Sequence, residues 1–164
     1  AVVMIKVHEH TVEVVNKNDP LFEQLTMSNL LRHLERYAKE PHKYFEPLER
    51  SEVQESFEDG EHVLHRILHF GQMIVRDKVV FTDSQTMVTE VEHTEDYPDS
   101  RFTVKIETSE NNDSIRLRFL YEEDTDEAPA EDIFLSLRRK AYEQKDKDMV
   151  EQIRQHARDL SALS

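Results

Sequence analysis

The sequence predicts an α+β fold in which seven antiparallel strands accompany a long C-terminal helix. Three observations carry that expectation. Residues 51–121 break into short β-branched runs separated by turn residues, the pattern of an antiparallel meander. Residues 133–160 follow with apolar side chains at helical spacing, enough for about seven or eight turns. Within the first of these the stretch HVLHRILHFGQMIVRDKVVF, residues 62–81, is intelligible as a hairpin and poorly so as a helix.

That stretch has two readings. With a helical period His62, His65 and His69 share one stripe, as a metal-binding face would. With period two, Gly71-Gln72 is a two-residue loop of the Gly-X type, a favoured link between twisted antiparallel strands. Phe70 then faces Met73, Leu68 faces Val75, Arg66 faces Asp77 and Leu64 faces Val79. One side becomes apolar except for a single charge-complementary pair. A helix would end at Gly71 and leave MIVRDKVVF unpaired, whereas the hairpin accounts for both halves. It also disperses the histidines. His65 and His69 stay on one side about 13 Å apart at ~3.3 Å per residue, and His62 points the other way. His8 and His10 sit together on one side of the first strand, too few to bind an ion without partners from elsewhere. No metal and no cofactor is expected.

The remaining elements follow in order. Met4 to Val15 is β-branched and loosely alternating, hence a strand, and NKNDP breaks it. Thr26 is placed to cap a helix in which Leu30, Leu31, Leu34, Tyr37 and Ala38 recur at helical spacing. Pro41 ends it, because the residue before a proline is pushed out of the helical region, and PHKYFEP allows one further turn. Glu58-Asp59-Gly60, FTDSQT and ENNDS mark tight turns, and TEDYPDS a longer break. Closing the hairpin across ENND sets Ile106 beside Leu117, Val104 beside Phe119 and Phe102 beside Tyr121, with Glu107 beside Arg116 on the outer side. One apolar and one salt-bridged face is the signature of a half-buried sheet. Residues 122–132 hold seven acids and lead into the last helix, whose amino end favours negative charge. Its stripe runs through Ile133, Leu137, Ala141, Met149, Ile153, Ala157 and Leu160, with a polar gap at residues 145–148.

Composition narrows the function. A chain of 164 residues is expected to form a single domain over residues 1–164. Its net charge of −14 argues against nucleic acid or an anionic membrane surface as a partner. There is no cysteine, so thiolate metal sites, thiol nucleophiles and disulfides are excluded. With two glycines there is no phosphate-cradling loop, and no Gly-x-Ser-x-Gly elbow occurs. No run reaches the ~20 apolar residues of a membrane span, so a cytoplasmic protein without membrane insertion is the expectation.

Longer motifs carry a resemblance. AKEPHKYFEPLERSEVQE resembles a family stretch in which a turn leads through Phe and Pro into the second strand. LHFGQMIVRDKVVF is similar to that family's hairpin. FLYEEDTDEAPAEDIFLSLRRKAYEQKDKDMVEQIR resembles its strand, acidic linker and C-terminal helix. The family is the AtaL-like group of the SRPBCC superfamily, small proteins largely of unknown function whose namesake is associated with fungal secondary metabolism. The resemblance implies the START-like helix-grip fold: a seven-stranded curved antiparallel sheet wrapped around the C-terminal helix, two short helices after the first strand, and a cavity between sheet and helix.

On that basis the first expectation is a binding protein for a hydrophobic or aromatic small molecule. Leu68, Phe70, Met73, Val75, Phe102, Val104, Leu117, Phe119 and Tyr121 would form its apolar wall, and Arg66, Asp77 and Tyr121 its polar groups. The same apolar residues serve equally as a filled core. The alternative is a polyketide cyclase or dehydratase-like enzyme of secondary metabolism, in which Arg66 stabilises an enolate oxygen and Asp77 acts as base. A third class is an interaction module or homodimer using Val63, Ile67, Ile74 and Val80 on the outer side of the hairpin.

Overall fold

The computed structural model describes residues 3–163, and the outermost residues of the expected 1–164 domain lie outside that range. One sheet contains seven strands, all antiparallel: β1 (Met4–Asn16), β2 (Arg50–Glu58), β3 (Glu61–Phe70), β4 (Met73–Asp83), β5 (Thr86–Val91), β6 (Ser100–Thr108) and β7 (Ser114–Asp124), in the order β1-β7-β6-β5-β4-β3-β2. Helix α1 (Met27–Lys39) follows β1, and the 30-residue helix α2 (Ile133–Ala162) ends the chain. The second of the two short helices expected after β1 is only a 3-10 turn, Pro41–Lys43. Pro41 cannot donate the bond a continuing helix needs, and Pro47 lies too close for a second regular helix. Among the described residues no helix is long and apolar enough to cross a membrane.

Turn chemistry sets the registers. Gly71 has φ +62° and joins β3 to β4 with Phe70 opposite Met73 and Arg66 opposite Asp77. Asp59 and Gly60 both take positive φ, 53° and 80°, as a two-residue loop matched to the sheet's twist requires. Across the last hairpin Ile106 pairs with Leu117, Val104 with Phe119, Phe102 with Tyr121 and Glu107 with Arg116.

β1 departs from strict alternation. Its pairing with β7 shifts between Lys6 and His8 and again between Glu13 and Val15. The extra residues, Val7 and Val14, are buried, as is Val15 beside the second. Such bulges bend a strand and increase its local twist, which lets the sheet curve around α2.

The core lies between the concave face and the two helices. Leu30, Leu34 and Ala38 of α1 and Met149, Val150, Ile153 and Ala157 of α2 pack with Leu64, Val79, Val104, Ile106, Leu117 and Phe119 of the sheet. Thr26 caps α1, its hydroxyl accepting from the Asn29 amide, and the Asp132 carboxylate accepts from the Leu135 amide to start α2. Asp132→Ala is expected to lower stability by about 0.5–2 kcal/mol, read from the urea midpoint.

On the outer face Val63 and Val80 are buried within the chain, 1% and 8% exposed. The patch expected to serve an interaction module is therefore reduced to Ile67 and Ile74.

Candidate ligand-binding cavity

The apolar row of the concave face divides in two. Val104, Ile106, Leu117 and Phe119 are sealed in the core. Toward the other end of the strands the helices draw away, leaving a cavity of about 810 Å³. Leu68, Phe70, Met73, Val75 and Phe102 line it, with Arg66, Asp77 and Tyr121 among its polar residues. Eight of the residues expected to touch a ligand thus reach the cavity. Val104, Leu117 and Phe119 do not, because α1 and α2 fill the space over them.

Arg66 and Asp77 are held by each other. Arg66 Nε donates to Asp77 Oδ1 at 2.8 Å, and Nη2 donates to Oδ2 at 2.7 Å. The remaining nitrogen, Nη1, donates to the carbonyl of Ala38 at 2.9 Å. That carbonyl belongs to the last turn of α1, where backbone acceptors lack helical partners and a cation is favoured. The fork-on-carboxylate geometry satisfies both oxygens of Asp77. Its effect is to tie the β3–β4 hairpin to the end of α1.

Tyr121 also spends its hydroxyl inside the protein, donating to Asp146 Oδ2 at 2.7 Å. The same oxygen bonds His10 Nε2 at 2.7 Å. Asp146 is 1% exposed. Burial pushes its carboxyl above the usual range, against the pull of Lys145, Tyr121 and His10. Burial and the neighbouring Asp146 likewise push the Tyr121 hydroxyl up. His10 stacks on Phe119 and on His8, which pairs with Glu143 at 2.9 Å. The first-strand histidines therefore serve as half-buried partners of α2 carboxylates. On the β2–β3 side His62, His65 and His69 pair separately with Glu55, Glu58 and Glu52.

Two cavity groups were not singled out by the sequence. Lys145 Nζ lies 4.6 Å from the ring centre of Phe102 and 5.3 Å from that of Tyr121. Tyr142 stacks on Tyr121 with centroids 4.0 Å apart. The Lys145 side chain is 37% exposed although protein surrounds it, so its accessible surface opens into the cavity. Burial pulls its pKa down, partly offset by Asp146. Tyr37 of α1 also lines the cavity, and burial raises its hydroxyl to about 12, so it is a neutral donor at physiological pH. Lys145 falls in the polar gap of the α2 stripe, where an inward lysine leaves no hydropathy signal.

A curved antiparallel sheet closed over a cavity by a long helix defines a START-like helix-grip protein. The family model for "AtaL: Acetylaranotin biosynthesis cluster protein L" matches residues 9–159, and the chain belongs to this family. No curated protein sequence matches the chain. Among solved structures it is similar to the di-domain ARO/CYC StfQ from the steffimycin biosynthetic pathway, with TM-score 0.67, 8% identity, and coverage of 97% of this chain and 52% of that one. The chain thus spans about half the length of that relative. A START superfamily protein from Mycobacterium smegmatis gives TM-score 0.60 at 15% identity, covering 93% and 97%. The Zhui aromatase/cyclase from a Streptomyces species gives 0.53 at 16% identity, covering 95% and 94%. At these identities the likeness concerns the fold.

Proposed function

We propose that this protein binds a hydrophobic or aromatic small molecule between the sheet and α2. The observation that carries the reading is the cavity itself. Its volume of about 810 Å³ falls in the range of small-molecule sites, ~300–1,000 Å³, and its wall is mostly apolar with a few directed polar groups. Val75 and Leu68 face each other across β3 and β4 and project into it. Val75→Trp would fill that space.

The experiment is a fluorescence titration with phenylnaphthylamine, an uncharged aromatic probe. Wild type is expected to bind saturably, and Val75→Trp to bind at least tenfold more weakly while unfolding at a similar urea concentration. Absence of saturable binding by the wild type, or equal binding by Val75→Trp, overturns the reading. Mass spectrometry of small molecules retained through purification would then identify the natural ligand.

Two structural neighbours carry the words ARO/CYC and aromatase/cyclase in their names, which keeps the cyclase alternative in view. The geometry gives Asp77 little scope as its base. Both carboxylate oxygens accept from Arg66 and the side chain is 2% exposed, whereas a general base must come within reach of the substrate proton.

A further inference from the structure

We propose that the ligand presents an anionic oxygen carried on an aromatic system, and that Lys145 is the residue that selects it. This rests on the cavity-binding reading above and adds the charge of the ligand to it.

The cavity's other cations are already committed. Arg66 is paired with Asp77, Arg101 with Glu122 at 3.0 Å, and Arg138 with Glu123. Lys145 differs. Its carboxylate neighbour, Asp146 Oδ1, stands at 4.0 Å, beyond hydrogen-bond reach, and among the described residues no acceptor takes any of its three N–H donors. Asp146 and Lys145 are consecutive on α2, so their side chains diverge, the carboxylate toward β1 and β7 and the ammonium into the cavity. The Tyr37 hydroxyl is a second donor on the cavity wall without a protein acceptor among the described residues.

An ammonium on a mostly apolar cavity wall with no protein acceptor leaves its N–H donors to whatever occupies the cavity. The arrangement is compensated when a ligand brings the acceptor. Carboxylate, phenolate and enolate oxygens share that chemistry. The surroundings specify the rest of the molecule, since the rings of Phe102 and Tyr121 flank the ammonium and add an aromatic wall to the apolar cavity. With a net charge of −14 the protein as a whole repels anions. Selection for one must therefore act at short range inside the cavity, where low polarity strengthens a single charge pair.

A matched pair of probes separates this inference from the reading beneath it. Anilinonaphthalenesulfonate and phenylnaphthylamine share one ring system, and only the first carries a sulfonate. Wild type is expected to bind the anionic probe about tenfold more tightly. Lys145→Met should abolish that preference while leaving affinity for the neutral probe within about twofold, and Lys145→Arg should retain it. Val75→Trp should weaken both probes, which places them in the cavity. The preference should also fade on the alkaline side, below the ordinary lysine range near ~10.4, because the lowered pKa of Lys145 sheds its charge there. Equal affinity for the two probes, or a preference that survives Lys145→Met, overturns the inference while the neutral probe still reports a cavity that binds. If the neutral probe fails too, the binding reading falls and takes the inference with it.

Discussion

Replacing Asp77 with Asn, or Arg66 with Met, is expected to destabilise the protein by about 3–5 kcal/mol, because each change strands the opposite charge in a buried site. The Arg66 and Asp77 side chains are 8% and 2% exposed, so water cannot solvate the survivor. In Asp77→Asn the guanidinium keeps the Ala38 carbonyl but faces a neutral amide with one acceptor oxygen where two charged ones stood. In Arg66→Met the carboxylate loses both donors, and the last turn of α1 loses its bond to the hairpin. The double variant Arg66→Met, Asp77→Leu should recover most of the loss, since exchanging a whole buried pair for apolar side chains is often neutral. Urea unfolding at neutral pH of wild type, Arg66→Met, Asp77→Leu and the double variant forms a double-mutant cycle. Single variants within about 1 kcal/mol of wild type would show that the pair is not a structural tie. A double variant as unstable as the sum of the singles would show that the two groups act independently.

This expectation also separates what the sequence disclosed from what it concealed. That Arg66 meets Asp77 was legible, because period-two alternation and a glycine loop fix the register of a two-residue hairpin, and a slip of one residue would turn Leu64 and Leu68 outward. The pairing of Phe102, Val104 and Ile106 with β7 was legible for the same reason. What the pair does was not. Its third bond goes to Ala38, 28 residues away on another element, and no local pattern announces such a contact.

Helix α2 shows the limit most clearly. An apolar stripe through Ile133, Leu137 and Ala141 is the natural reading, yet all three are exposed. The line that turns inward is Leu135, Tyr142, Asp146, Met149, Ile153 and Ala157. The stripe and the buried line coincide from Met149 to Ala157, where α2 packs on the filled core, and part company where it borders the cavity and again at Leu160, which is exposed. There the inward residues include a carboxylate and an ammonium, so the site looks from sequence like a gap in the stripe. His10 and Asp146 are 136 positions apart, and only folding brings them together. The same logic hid the division of the concave face, since Phe119 and Phe102 are identical in kind and differ in that one is sealed in the core and the other lines the cavity.

Acidification supplies the second large effect. The protein is expected to lose about 3 kcal/mol of stability through His33 alone as the pH falls from 6.5 to 4. His33 lies on the inner face of α1 and is 8% exposed. Burial, reinforced by His156 and Arg36, pushes its pKa down to about 4. A base with a lowered folded pKa binds its proton more weakly when folded than when unfolded. Above the unfolded value both states are neutral and nothing is lost. Between 6.5 and 4 the unfolded chain takes the proton first, so stability drops with falling pH, and below 4 the loss is complete. The groups facing the imidazole explain why no rescue is at hand. From α2 the His156 ring meets it edge-on at 5.4 Å, and Arg36 of α1 contacts His156 in turn. Burial and Arg36 also lower the pKa of His156, while Asp159 and Glu40 oppose the shift, so that ring is a second acid-labile group beside the first. No carboxylate is hydrogen-bonded to His33 among the described residues, so its charged form has no partner waiting. His33→Gln removes the titration and should flatten the slope of unfolding free energy against pH in this window. An unchanged slope in the variant would mean that His33 takes up its proton equally in the folded and unfolded states, and that the acid sensitivity arises elsewhere.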